Sequence, residues 1–117
     1  HLDRHGDLTT YHQIKRKVYQ NCQFIVCNRD DLLTYPVSNK VTMSFGLSQS
    51  STGFSWDKNN AIILLDGKPF LDSKSCLLAG AHNMLNIQAA AALAKVFGID
   101  DHSIRQGARK FGGLPHR

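Results

Sequence analysis

Leu8, Tyr11, Ile14, Val18 and Cys22 recur three or four residues apart, which places them on one helical face. This predicts a helix, with Asp7 or Thr9 placed to cap its start. The pattern then changes: Phe24-Ile25-Val26-Cys27 is apolar on both faces, as in a parallel strand covered by helices. Asn28 to Asp31 predicts a turn, with a short helix starting at Asp30. Val41 to Phe45, Phe54 to Trp56, Ala61 to Leu65 and Pro69 to Leu71 are strand candidates, and Asp66-Gly67 between the last two signals a hairpin. This middle region reads as a small antiparallel sheet. Helical pattern returns from Ala81 to Phe97, and Gly98 suits the left-handed position after the last turn. Ile99-Asp100-Asp101 predicts the capped start of a second helix ending near Lys110, stopped by Gly112-Gly113 and Pro115. The fold class is therefore α/β, with one or more parallel strands, flanking helices and a small antiparallel sheet. Gly113 to Pro115 is the expected domain boundary or hinge.

Composition narrows the class. In 117 residues, 42% are hydrophobic, which supports a core and excludes a disordered or collagen-like chain. Leu77 to Ala94 carries no charge, but His82, Asn83, Asn86 and Gln88 interrupt it and oppose a membrane span. Residues 1–20 carry charges throughout, unlike a signal peptide. Cys22, Cys27 and Cys76 are odd in number and lack CxxC spacing, which opposes a disulfide framework or structural zinc. A cytoplasmic location is the expectation. The start at His1, without Met, and the stop after a Gly-Gly-Leu-Pro turn suggest a piece of a longer polypeptide. The net charge is +5, and Arg105, Arg109, Lys110 and Arg117 cluster without an acid between them. Such a patch either faces phosphates or forms a solvated helix face; charge alone does not decide.

The most informative segment is Gly80-Ala81-His82-Asn83-Met84-Leu85-Asn86. Gly80 permits close backbone approach before a helix whose first amides are unpaired donors. Asn83 and Asn86, three apart, project from one helical face. A carboxamide offers donor and acceptor side by side, matching an adenine edge, and the flat His82 ring can lie beside a base. Equally, Asn83 can be a helix cap and Asn86 a surface polar residue. Arg117, on a proline-containing turn after two glycines, can clamp a phosphate or belong to an ordinary linker. His1 near Asp3 can contribute to a divalent-cation site. Lys15 beside Arg16 and Lys17 reads as a solvated charge run, since an ammonium holds no metal unless deprotonated and carbamylated. Asp30 and Asp31 read as a helix cap rather than a catalytic pair, and Trp56 and Phe111 as packing residues. No Walker-type phosphate loop is present in these residues.

Several segments together resemble the Mur ligase family. They are His1-Leu2-Asp3-Arg4, Tyr11-x-x-x-Lys15, Asn28-x-Asp30-Asp31, Ser44-Phe45-Gly46, Gly80-x-His82-Asn83-x-x-Asn86-x-x-Ala89-Ala90 and Phe111-x-Gly113-Leu114-Pro115-His116-Arg117. The closing Gly-Leu-Pro-His-Arg is most similar to the branch that adds D-glutamate. The resemblance implies that residues 1–112 are the C-terminal half of a central ATP-binding domain, and 113–117 a hinge and the start of the next. It implies ATP-driven, ADP-forming addition of D-glutamate to UDP-N-acetylmuramoyl-L-alanine through an acyl phosphate, in peptidoglycan precursor synthesis. The family's cofactors would be ATP and Mg²⁺. His1 then resembles a Mg²⁺ ligand and Lys15 the carbamylated lysine that helps place that ion. His82, Asn83 and Asn86 resemble adenine-binding residues, and Arg117 the junction arginine that reaches the nucleotide. These residues alone, lacking the phosphate loop and both substrate sites, are expected not to turn over.

Two other readings stand beside this one. Another Mur-type or folylpolyglutamate-type ligase shares the architecture, although Gly113 to Arg117 argue against it. A small basic nucleic-acid module would instead stack bases on Phe54, Trp56 and Phe70, on an exposed sheet with cations interleaved.

Overall fold

β1 (Val26–Asn28) and β2 (Met43–Phe45) lie side by side in parallel, with Cys27 opposite Ser44. They belong to a computed structural model that describes residues 23–31 and 41–112. The helix expected over Leu8 to Cys22, continuation of a helix beyond Asp31, and the Gly113 to Pro115 hinge lie outside the described residues.

The parallel pairing corrects one expectation, since Val41 to Phe45 had been read as part of the antiparallel region. The Ile25 carbonyl accepts both the Thr42 and Met43 N–H, at 2.8 and 3.1 Å, and the Ile25 N–H donates to Thr42 Oγ1 at 3.1 Å. A three-residue strand is too short for its own periodicity to tell one pairing from the other.

The antiparallel sheet has the order β3 (Phe54–Asp57), β4 (Ile62–Leu65), β5 (Lys68–Asp72). Asp66 and Gly67 join β4 to β5 at φ 52° and 79°, the twin positive angles of a type I′ hairpin turn. Two helices complete the architecture: α1 (Ala81–Val96) and α2 (Asp101–Lys110). The capped start of α2 is where the sequence placed it. Asp100 accepts the Ser103 N–H at 3.0 Å and the Ser103 hydroxyl at 2.8 Å. Lys95 near the end of α1 pairs with Asp101 at 2.8 Å, linking the two helices.

The core lies between the antiparallel sheet and α1. Phe54, Ile63, Phe70 and Leu71 come from the sheet; Met84, Ile87, Ala91 and Ala92 from α1; Ile104 from α2. Small side chains at Ala91 and Ala92 let the helix approach closely. Trp56 and Phe111 pack against this cluster, as their composition suggested. Arg105 covers the Phe70 ring at 4.4 Å from its centroid and donates to the Phe70 carbonyl at 2.6 Å. Phe54 and Phe70 are therefore core residues, 0% and 6% exposed, and unavailable for the base stacking that the nucleic-acid reading required.

Candidate nucleotide site at the strand ends

Two contacts fix the direction of α1. At its C-terminal end, Phe97 meets Phe24 edge-on at 6.3 Å, just before β1 begins. Nearer its N-terminal end, Gln88 Oε1 accepts the N–H of Gly46, the residue that follows β2, at 3.1 Å. The helix thus runs opposite to the parallel strands. Its first seven residues, about 10 Å of helix, therefore precede the Gln88–Gly46 contact on the side toward which the strands run. Parallel α/β sheets bind ligands outside the carboxyl ends of their strands, where helix N-termini also present unpaired amides.

The first two turns of α1 carry three of the candidate residues. Gly80 caps the helix at φ 97° and contributes no side-chain hydrogen bond, and no acidic residue lies in the first turn. His82 and Asn86 are exposed, and Asn83 is half-buried. Asn83 Nδ2 donates to the Ala79 carbonyl at 2.8 Å, so the carboxamide is oriented by its own chain and its oxygen is left as the acceptor. The reading of Asn83 as the helix cap is corrected: Gly80 is the N-cap, and Asn83 donates to a carbonyl before the helix instead of accepting from a helix amide.

The loops leaving β1 and β2 are locked together. The Asp30 N–H donates to Asn28 Oδ1 at 2.9 Å, forming a tight Asx turn that presents the Asp30 carboxylate toward the β2 exit. That carboxylate accepts the Leu47 and Ser48 N–H at 2.8 and 3.2 Å, and the Ser48 hydroxyl as well. The Ser48 hydroxyl foremost, then the two amides and the Arg29 charge, hold the Asp30 carboxyl below its usual range against the opposing effect of burial. Asp30 is therefore a loop clamp, while the helix it was expected to cap lies outside the described residues.

Arg29 extends the lock to the other sheet. Its guanidinium donates to Ser44 Oγ at 3.2 Å, to the Ser48 carbonyl at 2.9 Å and to the Phe54 carbonyl. Arg29 and Gln88 were not singled out from the sequence. The available signal was the motif Asn28-x-Asp30-Asp31 with Ser44-Phe45-Gly46, whose residues prove to be the clamped strand ends.

The remaining candidates divide clearly. His1, Lys15 and Arg117, and with them the expected metal site, lie outside the described residues. Among the described residues no group of three or more His, Cys, Asp or Glu side chains could hold a metal ion. Cys27 and Cys76 are free thiols whose pKa values burial pushes up, which opposes a role as nucleophile. An apolar groove of about 220 Å³ between α1 and α2, lined by Ile87, Ala91, Ile104 and Phe111, carries none of the candidate residues. Among the described residues no helix is long and apolar enough to cross a membrane.

Residues 1–94 match the family described as the Mur ligase middle domain. The chain is 32% identical over 117 residues to a UDP-N-acetylmuramoylalanine--D-glutamate ligase of Vibrio atlanticus (strain LGP32), covering 100% of this chain and 27% of that protein. It is 38% identical over 123 residues to the protein of that name in Psychrobacter arcticus (strain DSM 17307 / VKM B-2377 / 273-4), covering 100% of this chain and 26% of that protein. The chain thus spans about a quarter of the length of the curated relatives it matches. With most of its length in the middle-domain match, the chain belongs to the Mur ligase family.

Proposed function

We propose that this chain contributes the adenine-binding part of an ATP-dependent, ADP-forming ligase that adds D-glutamate to UDP-N-acetylmuramoyl-L-alanine in the cytoplasm. Residues 1–112 would form the C-terminal half of its central domain, with 113–117 the hinge to the next. The observation that carries the reading is the antiparallel course of α1. It supports the reading because the end of α1 that bears His82, Asn83 and Asn86 points the way β1 and β2 run, toward the side where this architecture takes nucleotides. The names of the full-chain relatives supply the substrate class.

The donor set suits an adenine. Asn83 keeps its oxygen for the exocyclic amine, Asn86 keeps a full carboxamide, and His82 offers a ring face. Arg117 would reach a phosphate with its planar fork. His1 and a carbamylated Lys15 would hold Mg²⁺ through nitrogen and oxygen. When bound, ATP supplies the phosphoryl group that makes a carboxylate oxygen a good leaving group, and Mg²⁺ offsets the charge between them. The described residues bind and orient: the locked strand ends keep α1 in place, and α1 holds the base.

Asn83→Ala in the full-length polypeptide tests the site. KM for ATP is expected to rise about tenfold, and the preference for ATP over GTP to narrow, with kcat at saturating ATP far less affected. An unchanged KM and an unchanged base preference would contradict the assignment.

A further inference from the structure

Two residues past Asn86, α1 carries Gln88, a side chain with no exposed surface. Its Oε1 accepts the Gly46 N–H at 3.1 Å, while its Nε2 has no hydrogen-bond partner among the described residues. Burying an amide with half its hydrogen-bonding capacity unused opposes folding. The other buried residues of this helix, Met84, Ile87, Ala91 and Ala92, are all apolar. Apolar contacts are non-directional and tolerate small rotations and slides of a helix. A hydrogen bond is directional and resists both.

The far end of that bond is rigid. A side chain at Gly46 would place its Cβ 2.6 Å from an Asp30 carboxylate oxygen. The next two amides, Leu47 and Ser48, are held by the same carboxylate. Gly46 therefore passes between a carboxylate on one side and a carboxamide on the other, with little room to shift.

We propose that Gln88 is a positioning residue for the nucleotide site. By tying α1 to the clamped exit of β2, it sets the height and rotation at which His82, Asn83 and Asn86 stand beyond the strand ends. The proposal rests on the nucleotide reading above. It explains why a buried amide, rather than a fifth apolar residue, occupies this place on the helix.

The test uses the full-length polypeptide and ATP-dependent phosphate release. Gln88→Met keeps length and burial but removes the acceptor. Its KM for ATP is expected to rise about tenfold, with kcat at saturating ATP within about twofold. Ile87→Val, a core change one residue away, lowers Tm but leaves KM for ATP in place. If Gln88→Met does not fold, Gln88→Asn, whose amide is one methylene short of Gly46, carries the same expectation.

An unchanged KM in Gln88→Met alongside a raised KM in Asn83→Ala overturns the positioning role while sparing the nucleotide site. An equal rise in Ile87→Val overturns it too, because the effect is then general loosening. No change in Asn83→Ala removes the nucleotide reading itself, and this proposal with it.

Discussion

Replacing Phe54 with alanine is expected to destabilise the unit built from the antiparallel sheet and α1 by about 4 kcal/mol. The ring has no exposed surface and meets Phe70 edge-on at 5.2 Å, within a cluster that includes Ile63, Leu71, Met84 and Ile87. Truncation removes the transfer energy of the ring and an aromatic pair worth about 0.5–1.5 kcal/mol, and leaves a cavity. The backbone is poorly placed to collapse into that cavity. Phe54 is paired with Leu65 across the β3–β4 ladder, and its carbonyl is held by Arg29 from the other sheet. Hydrogen exchange over residues 54–71 of the full-length polypeptide reads the effect directly. Protection is expected to fall roughly a thousandfold, the equilibrium equivalent of that energy. A fall of less than about tenfold would place Phe54 outside the load of this core.

The neighbouring substitution, Gly53→Ala, is expected to cost about 3 kcal/mol for a different reason. Gly53 sits at φ 72°, and an added Cβ would lie 2.2 Å from the backbone carbonyl oxygen of Ser44 in β2. That neighbour is backbone, so no side-chain rotation relieves the clash. Gly53 is also pinned from behind: its N–H donates to Asp66 Oδ1 at 2.8 Å, and its carbonyl accepts the Asp66 N–H at 2.8 Å. The reference is Gly67→Ala, at φ 79° with nothing within 4 Å of the added carbon. That change carries the backbone penalty alone, about 1 kcal/mol. Thermal unfolding of the two variants separates conformational strain from collision. Equal losses would mean that the two sheets are free to part at Ser44.

These predictions concern contacts that local pattern does not carry. The capped start of α2 at Asp100 and the hairpin at Asp66-Gly67 were legible because their partners lie within three residues. The start of α1 at Ala81 was legible for a similar reason, a glycine before a run of helix formers. Arg29 to Phe54 spans 25 residues and Gly46 to Gln88 spans 42, and periodicity is silent at such separations. The pairing of β2 with β1 was missed on the same ground. Its bonds to Ile25 come from a strand 17 residues upstream. Asp66 was read only as a turn residue, although its carboxylate reaches back to Gly53. In the candidate site, spacing singled out Asn83 and Asn86 but left cap and surface roles open, and only the family resemblance pointed them to a base. The clamp and anchor that hold them in place were not, because Asp30, Arg29 and Gln88 are ordinary residues until the chain brings them together.

The central claim is best tested by phosphate release from ATP in the full-length polypeptide, with UDP-N-acetylmuramoyl-L-alanine and either D- or L-glutamate. The account predicts release that requires both the nucleotide sugar and D-glutamate, with L-glutamate inactive. Release that proceeds with a different amino acid, or no release with this pair, would contradict it.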